Sequence, residues 1–156
     1  MNFLLDTNIL VYYITKPEKL SEFEQVYEPF NNQNVALISI VTEAEMQSLA
    51  IQRGWGEKKK EQLEKLLTQF LVVPVQSKRQ ISLYAEIDAY SKHKDPSREY
   101  PKGYSSIKVG KNDLWIAATA HITNSKLVTT DDDFDHLDGV FLDLIKPKID
   151  AGSSQS

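Results

Sequence analysis

The residues whose types and spacing could do chemistry here are acids. Asp6 stands directly after the apolar run Phe3-Leu4-Leu5. Glu45 lies three residues beyond Thr42, which follows the apolar run Val35-Ala36-Leu37-Ile38 through Ser39. Asp113 precedes an almost wholly apolar stretch, 114–120, where an acid is costly unless it faces a polar cleft. Asp131 opens the run Asp131-Asp132-Asp133 after Leu127-Val128-Thr129-Thr130. Carboxylates brought within a few ångströms repel one another and take up protons. A divalent cation removes that penalty, and the hard ions Mg²⁺ and Mn²⁺ prefer carboxylate and water oxygens. Such an ion can bind a phosphate oxygen and acidify a bound water that then attacks phosphorus. The chemistry these acids could do together is metal-assisted hydrolysis of a phosphate ester.

Each acid also has a purely structural reading. Asp6 can be a helix cap. Glu45 can be a solvated helix residue, and Glu43 competes with it. Two positions along a helix is about 200° of rotation, so Glu43 and Glu45 cannot both face one site. The Thr42–Glu45 spacing matches a capping box and selects Glu45, although a capping box can itself be only structural. Asp113 suits a helix N-terminus by its charge, and an Asp run is commonly a solvated turn. A shared location is what would turn these four into a site.

The elements expected to position them alternate. Strands are predicted at 3–5, 35–38, 71–73 and 127–129, with Phe141-Leu142 closing the sheet. Helices are predicted at 9–14, 17–30, 43–53, 57–70, 78–92 and 113–122, the third capped by Thr42. Strands alternating with helices imply α/β architecture: a central parallel sheet with helices on both faces, three layers in all. In such sheets ligands bind outside the carboxyl ends of the strands. All four acids fall near that edge.

The chain has 156 residues, 41% hydrophobic and 26% charged, the balance of a globular protein with an ordinary core. No apolar run approaches the roughly 20 residues of a membrane helix. The start reads directly as a strand rather than a signal peptide. With no cysteine, thiol nucleophiles and zinc thiolate sites are excluded, and a cytoplasmic location is expected. His93, His121 and His136 show no metal spacing, and no Gly-rich phosphate loop is present. Trp55, between Gly54 and Gly56, reads as core or interface, with interface favoured. Net charge is −4, which runs against nucleic-acid binding. The long loop entering Asp113 differs: residues 92–111 carry six bases against two acids, with Tyr100 and Tyr104 interleaved. That pattern suits single-stranded RNA, or else a flexible solvated insertion.

Four motifs occur in order: Leu5-Asp6-Thr7-Asn8-Ile9-Leu10, Ser39-Ile40-Val41-Thr42-Glu43-Ala44-Glu45-Met46, Asn112-Asp113-Leu114-Trp115-Ile116-Ala117-Ala118, and Leu127-Val128-Thr129-Thr130-Asp131-Asp132-Asp133-Phe134. Together they resemble the PIN-domain family, and most of all the VapC-type toxins of bacterial toxin–antitoxin pairs. The resemblance spans Met1 to about Leu144. It implies a single nuclease domain over 1–150; the terminal residues 151–156 read by themselves as a disordered tail. It also implies an endoribonuclease dependent on Mg²⁺ or Mn²⁺, a cognate antitoxin as partner, an RNA substrate and a homodimer. On the family's motifs, Asp6, Glu45, Asp113 and Asp131 fall on the catalytic metal-site acids. Asp133 falls on an accessory metal acid, and Thr7, Asn8 and Thr129 on polar support. The loop before Asp113 is longer than the family's usual one. Two other readings stay open. One is phosphotransfer through Asp6 as nucleophile, although such enzymes carry a second Asp where Asn8 stands. The other is a non-catalytic binding module on the same fold.

Overall fold

The structure, a computed structural model, describes residues 1–149. The tail expected at 151–156 lies outside the described residues. Five short strands alternate with helices: β1 Asn2–Leu5, α1 Thr7–Thr15, α2 Ser21–Tyr27, β2 Val35–Ser39, α3 Ile40–Gln52, α4 Glu57–Leu67, β3 Leu71–Val73, α5 Lys78–Ser91, α6 Lys111–Ile122, β4 Lys126–Val128 and β5 Asp143–Ile145. The sheet is entirely parallel, in the order β3-β2-β1-β4-β5.

Side chains alternate across each strand, and this sorts the core into two layers. Phe3, Leu5, Ala36, Ile38 and Val128 face one side, where they meet Ile9 and Leu10 of α1, Met46 of α3 and Leu63 and Leu66 of α4. Leu4, Leu37 and Leu127 face the other, against Leu83 and Ile87 of α5 and Leu114, Ile116 and Ala117 of α6. The result is the expected three-layer α/β/α arrangement. A strand covered on both faces has no polar side to present, which is why Phe3-Leu4-Leu5 shows no alternation in type. Among the described residues no helix is long and apolar enough to cross a membrane.

The topology selects the site. From β1 the chain steps outward through β2 to β3, then returns to the far side of β1 for β4 and β5. The β1/β4 boundary is therefore a switch point, where connections leave in opposite directions and open a crevice at the carboxyl edge. Asp6 and Asp131 follow the two strands that border it.

Four local expectations are corrected. Helix 17–30 is a 3-10 turn at Pro17–Leu20 followed by the short α2. It ends because Pro29 excludes the right-handed helical region for the residue before it, and Glu28 takes a left-handed conformation at φ 46°. Helix α3 starts at Ile40 rather than Glu43, capped by the Ser39 hydroxyl accepting from the Val41 N–H at 3.1 Å. The fifth strand is Asp143–Ile145; Phe141 and Leu142 are instead buried side chains just before it. Trp55 is core: it is 6% exposed and packs with the layer that holds α3 and α4.

Trp55→Ala is therefore expected to destabilise the isolated chain by about 3–5 kcal/mol in urea unfolding, the usual cost of emptying a large aromatic site. A residue serving only an interface would leave the unfolding midpoint of a dilute sample where it was.

Candidate metal centre

Asp6 ends β1 and caps α1. Its Oδ1 accepts from the Thr7 N–H at 2.7 Å and its Oδ2 from the Thr129 hydroxyl at 2.7 Å. The capping reading is thus correct, but it uses only part of the carboxylate, since each oxygen carries further lone pairs. Capping also holds Asp6 in place, 4% exposed at the bottom of a cleft.

Glu45 reaches the same cleft from α3. The Thr7 hydroxyl donates to Glu45 Oε1 at 2.8 Å, with the Thr42 hydroxyl 3.3 Å away. The capping-box argument that selected Glu45 fails, because Ser39 is the cap and Thr42 is buried inside the first turn. Glu45 is nonetheless the acid that the cleft receives. Glu43 does not line it.

Asp113 enters from the first turn of α6, behind the Gly110 N-cap. Asp131 enters from the end of β4. It caps a 3-10 turn, Asp132–Leu137, by accepting from the Asp133 N–H at 2.9 Å. One carboxylate oxygen from each of Asp113, Asp131 and Asp133 lies within 4.8 Å of the other two. The cleft itself, about 240 Å³, is bordered by Asp6, Glu45, Asp113 and Asp131. Asp113 and Asp131 belong to both groupings, while Asp133 stands at the exposed rim. The structure therefore brings all five acids singled out in the sequence to one place. Val11 and Leu49 also line the cleft. They lie one helical turn beyond Asn8 and Glu45, so spacing alone could have found them.

The electrostatics follow from this crowding. Burial pushes Asp6 up to about 6, against the opposing hydrogen bonds from Thr129 and Thr7 and with added repulsion from Glu45 and Asp131. Asp113 is pushed up to about 7, by burial first and then by repulsion from Asp6, Asp131, Glu45 and Asp133. Asp133 is raised as well, by burial and its acidic neighbours. Among the described residues none of the five forms an ion pair; Lys146 pairs instead with Asp132 and Asp135. The acidic run is thus divided: Asp132 and Asp135 are neutralised on one side, and Asp131 and Asp133 face the cleft uncompensated. Lys146 follows β5, 14 residues after Asp132, and nothing in its local context signals this pairing.

The donor set fits a hard divalent cation: all carboxylate oxygens, with no imidazole or thiol. Asn8 Oδ1 adds a buried acceptor with no donor among the described residues, and Asn8 lines the same cleft. A larger cavity of about 450 Å³ opens beside His121, Asn124 and Phe141, at the other edge of the sheet. Its one acid, Asp143, is paired with Lys126, so it lacks the convergent carboxylates.

A family model for the PIN domain matches residues 3–140. No curated protein sequence matches the chain. Among solved structures, the chain is similar to VapBC2 from Rickettsia felis bound to a DNA fragment from their promoter, with TM-score 0.72 and 27% identity over 93% of this chain and 98% of that one. It is similar to VapBC-1 from nontypeable Haemophilus influenzae, with TM-score 0.67 and 25% identity over 94% and 98%. VapBC-5 from Mycobacterium tuberculosis, a member of the VapBC family of toxin-antitoxin systems, shares the fold at TM-score 0.60 and 21% identity over 93% and 98%.

The raised acids give a pH test on chelator-treated protein. Protons bind Asp6 and Asp113 more tightly in the folded state than in the unfolded chain, where an aspartate carboxyl titrates near its ordinary value of 3.8. Their contribution therefore favours the fold at low pH and is lost as pH rises from about 4 through 7. Asp113→Asn should melt higher than the parent at pH 8, and the gap should close towards pH 5. A melting difference that stays constant over that range would show that Asp113 is not held in a repulsive cluster.

Proposed function

The chain belongs to the PIN-domain family, and we propose that it is an endoribonuclease dependent on Mg²⁺ or Mn²⁺, acting as the toxin of a toxin–antitoxin pair. The observation that carries the reading is the convergence of four carboxylates, from four separate elements, on one cleft with no ion-pair partner among the described residues. The VapBC likenesses support a cognate antitoxin as partner and, with the family resemblance, RNA as substrate and a homodimer as the assembled state.

Asp6, Glu45, Asp113 and Asp131 would hold the ion or ions, with Asp133 at the rim. When bound, such an ion supplies positive charge to phosphate oxygens and acidifies water. The chain's own part is preorganisation. Thr7 and Thr129 fix both oxygens of Asp6, and Thr7 fixes Glu45, so neither acid must reorient when substrate arrives. Val11 and Leu49 give the cleft an apolar wall that limits water. Phosphotransfer through an Asp6 acyl-phosphate is the poorer fit, because Asn8 stands where such enzymes carry a second Asp, and Asp6 is 4% exposed.

Purified protein incubated with structured and unstructured RNAs should cut them with Mg²⁺ or Mn²⁺ and not with EDTA. Asp6→Asn should abolish cutting while keeping the circular dichroism of the parent, since the amide oxygen can still accept from the Thr7 N–H and the amide NH₂ can donate to the Thr129 hydroxyl, but the group carries no charge. Undiminished cleavage by this variant, after controls for contaminating nuclease, would remove Asp6 from the mechanism. Separately, Mn²⁺ at a hundred times its dissociation constant should stabilise the fold by about 2.7 kcal/mol. Asp113→Asn should shrink that gain. A melting curve indifferent to Mn²⁺ would count against any metal centre.

A further inference from the structure

Residues 92–110, between α5 and α6, are not a loose insertion. The Ile107 N–H donates to the Ser91 carbonyl at 2.8 Å, and Val109 is buried. Tyr100 packs on Tyr90 at 5.1 Å and on His93 at 3.5 Å between ring centroids, and its hydroxyl donates to the Ser105 carbonyl at 2.9 Å. Arg98 lies over Phe141 and pairs with Asp95. Beneath them Ser91 Oγ and His136 Nε2, both buried, are 2.7 Å apart, tying the end of α5 to the 3-10 turn that carries Asp133. The loop is therefore anchored between the two segments that supply Asp113 and Asp131. Its last residue lies beside one of the cleft's acids: a methyl placed on Gly110 would stand 3.9 Å from Asp113 Oδ2.

What the loop turns outward is different in kind. Lys94, Lys102, Lys108 and Lys111 are exposed and, among the described residues, make no ion pair. Lys92 and Arg98, counted with them in the sequence, are already paired, with Asp88 and Asp95. Tyr104 is 46% exposed, just after Gly103 at φ 90°. Every other tyrosine, phenylalanine and tryptophan of the chain is at least partly buried. The loop thus uses Tyr100 and Arg98 as anchors and presents lysines with a single free aromatic ring.

We propose that this loop is a fixed cationic rim for single-stranded RNA, with its lysines on successive phosphates and Tyr104 stacked on a base. The proposal rests on the ribonuclease reading of the adjacent cleft. A polyanion approaching five acids needs positive charge close by, because ions in the cleft neutralise only its centre. A rim held rigid before binding has little conformational freedom left to lose when RNA docks. Base stacking on an exposed ring is tolerant of sequence, whereas a duplex keeps its bases inside.

The test is binding of a fluorescein-labelled, unstructured oligouridylate at several salt concentrations, in Mg²⁺, on an Asp6→Asn background that does not cut. Replacing Lys94, Lys102 and Lys108 together by Ala should weaken binding and flatten the salt slope by about 2, since each lost phosphate contact removes about 0.7. Lys111 is left alone because it stands one half-turn from Asp113. Replacing the same lysines by Arg should keep the slope. Tyr104→Ala should weaken binding roughly 5- to 150-fold, the span of one stacked base, and Tyr104→Phe should restore it. Lys58→Ala with Lys65→Ala, on α4 in the opposite helical layer, should leave the slope as it was. An unchanged slope in the loop variant, or an equal flattening in the α4 variant, overturns the rim. The ribonuclease reading is judged apart, on protein with Asp6 intact: if that protein cuts RNA while the loop variant keeps its slope, only the rim fails. If it neither binds nor cuts RNA with Mg²⁺ or Mn²⁺, both fail.

Discussion

One hydroxyl joins the two halves of the sheet where the acids meet. Thr129 Oγ1 has one proton and two lone pairs, and all three are engaged. The proton goes to Asp6 Oδ2 at 2.7 Å, while the lone pairs receive the Asp131 N–H at 3.0 Å and Asn8 Nδ2 at 3.4 Å. The first of these is charge-assisted whenever Asp6 is ionised, and so is the strongest of the three. Through it the end of β1, the first turn of α1 and the start of the acidic run are held to one point. The Thr129 N–H meanwhile donates to the Ile145 carbonyl at 3.1 Å, bringing β5 into the same arrangement. A β-branched residue suits this place: Thr129 is wholly buried, and its restricted side-chain torsion holds the hydroxyl on these partners.

That tie makes the repulsion among the acids permanent rather than relaxed. Acids on mobile loops would swing apart into water, and both their repulsion and their burial would relax. Here Asp6 is pinned by its cap and by Thr129, and Asp113 sits on a helix whose other faces are buried. Neither can retreat, so burial first, and the fixed repulsion of the neighbouring acids after it, raise the proton affinity of Asp6 and Asp113. Lys146 sharpens the arrangement by neutralising Asp132 and Asp135 outside the cleft and leaving Asp131 in it and Asp133 at its rim uncompensated. Such an arrangement costs the metal-free protein stability, which a bound cation would return.

The layers and four of the five strands were legible because buried parallel strands read as short apolar runs, and because the acids after them mark a carboxyl edge. Asp6 and Asp131 could be placed from their strands alone. Glu45 was found by an argument that the structure overturns: the helix begins three residues earlier, since Ser39 at the strand end can cap as well as Thr42 can. Hydroxyl residues a turn apart compete for that role, and local sequence does not rank them. The fifth strand was missed because Phe141-Leu142 is more apolar than Asp143-Leu144-Ile145, yet β5 is an edge strand whose first residue faces solvent. Trp55 was misplaced because flanking glycines suggest exposure, whereas here they only let the chain turn and bring the ring inward.

The acidic net charge, an objection to nucleic-acid binding when the chain is read as a whole, weakens once the acids are located. Five of the 22 acids crowd into or beside the cleft, which leaves 17 acids against 18 bases over the rest of the chain. The surface outside the cleft is thus close to neutral, and the deficit belongs to the place where divalent cations would sit. A nearly neutral surface exerts little long-range pull on a polyanion, and beyond a Debye length of about 8 Å that pull is screened in any case. Capture on the proposed reading would then depend on charges within a few ångströms of the cleft rather than on the field of the whole molecule. The segment that runs into the cleft is the one between α5 and α6, which ends at Gly110 beside Asp113 and carries exposed lysines that make no ion pair among the described residues. Placement of charge, rather than its sum, is the property that bears on what such a protein can bind.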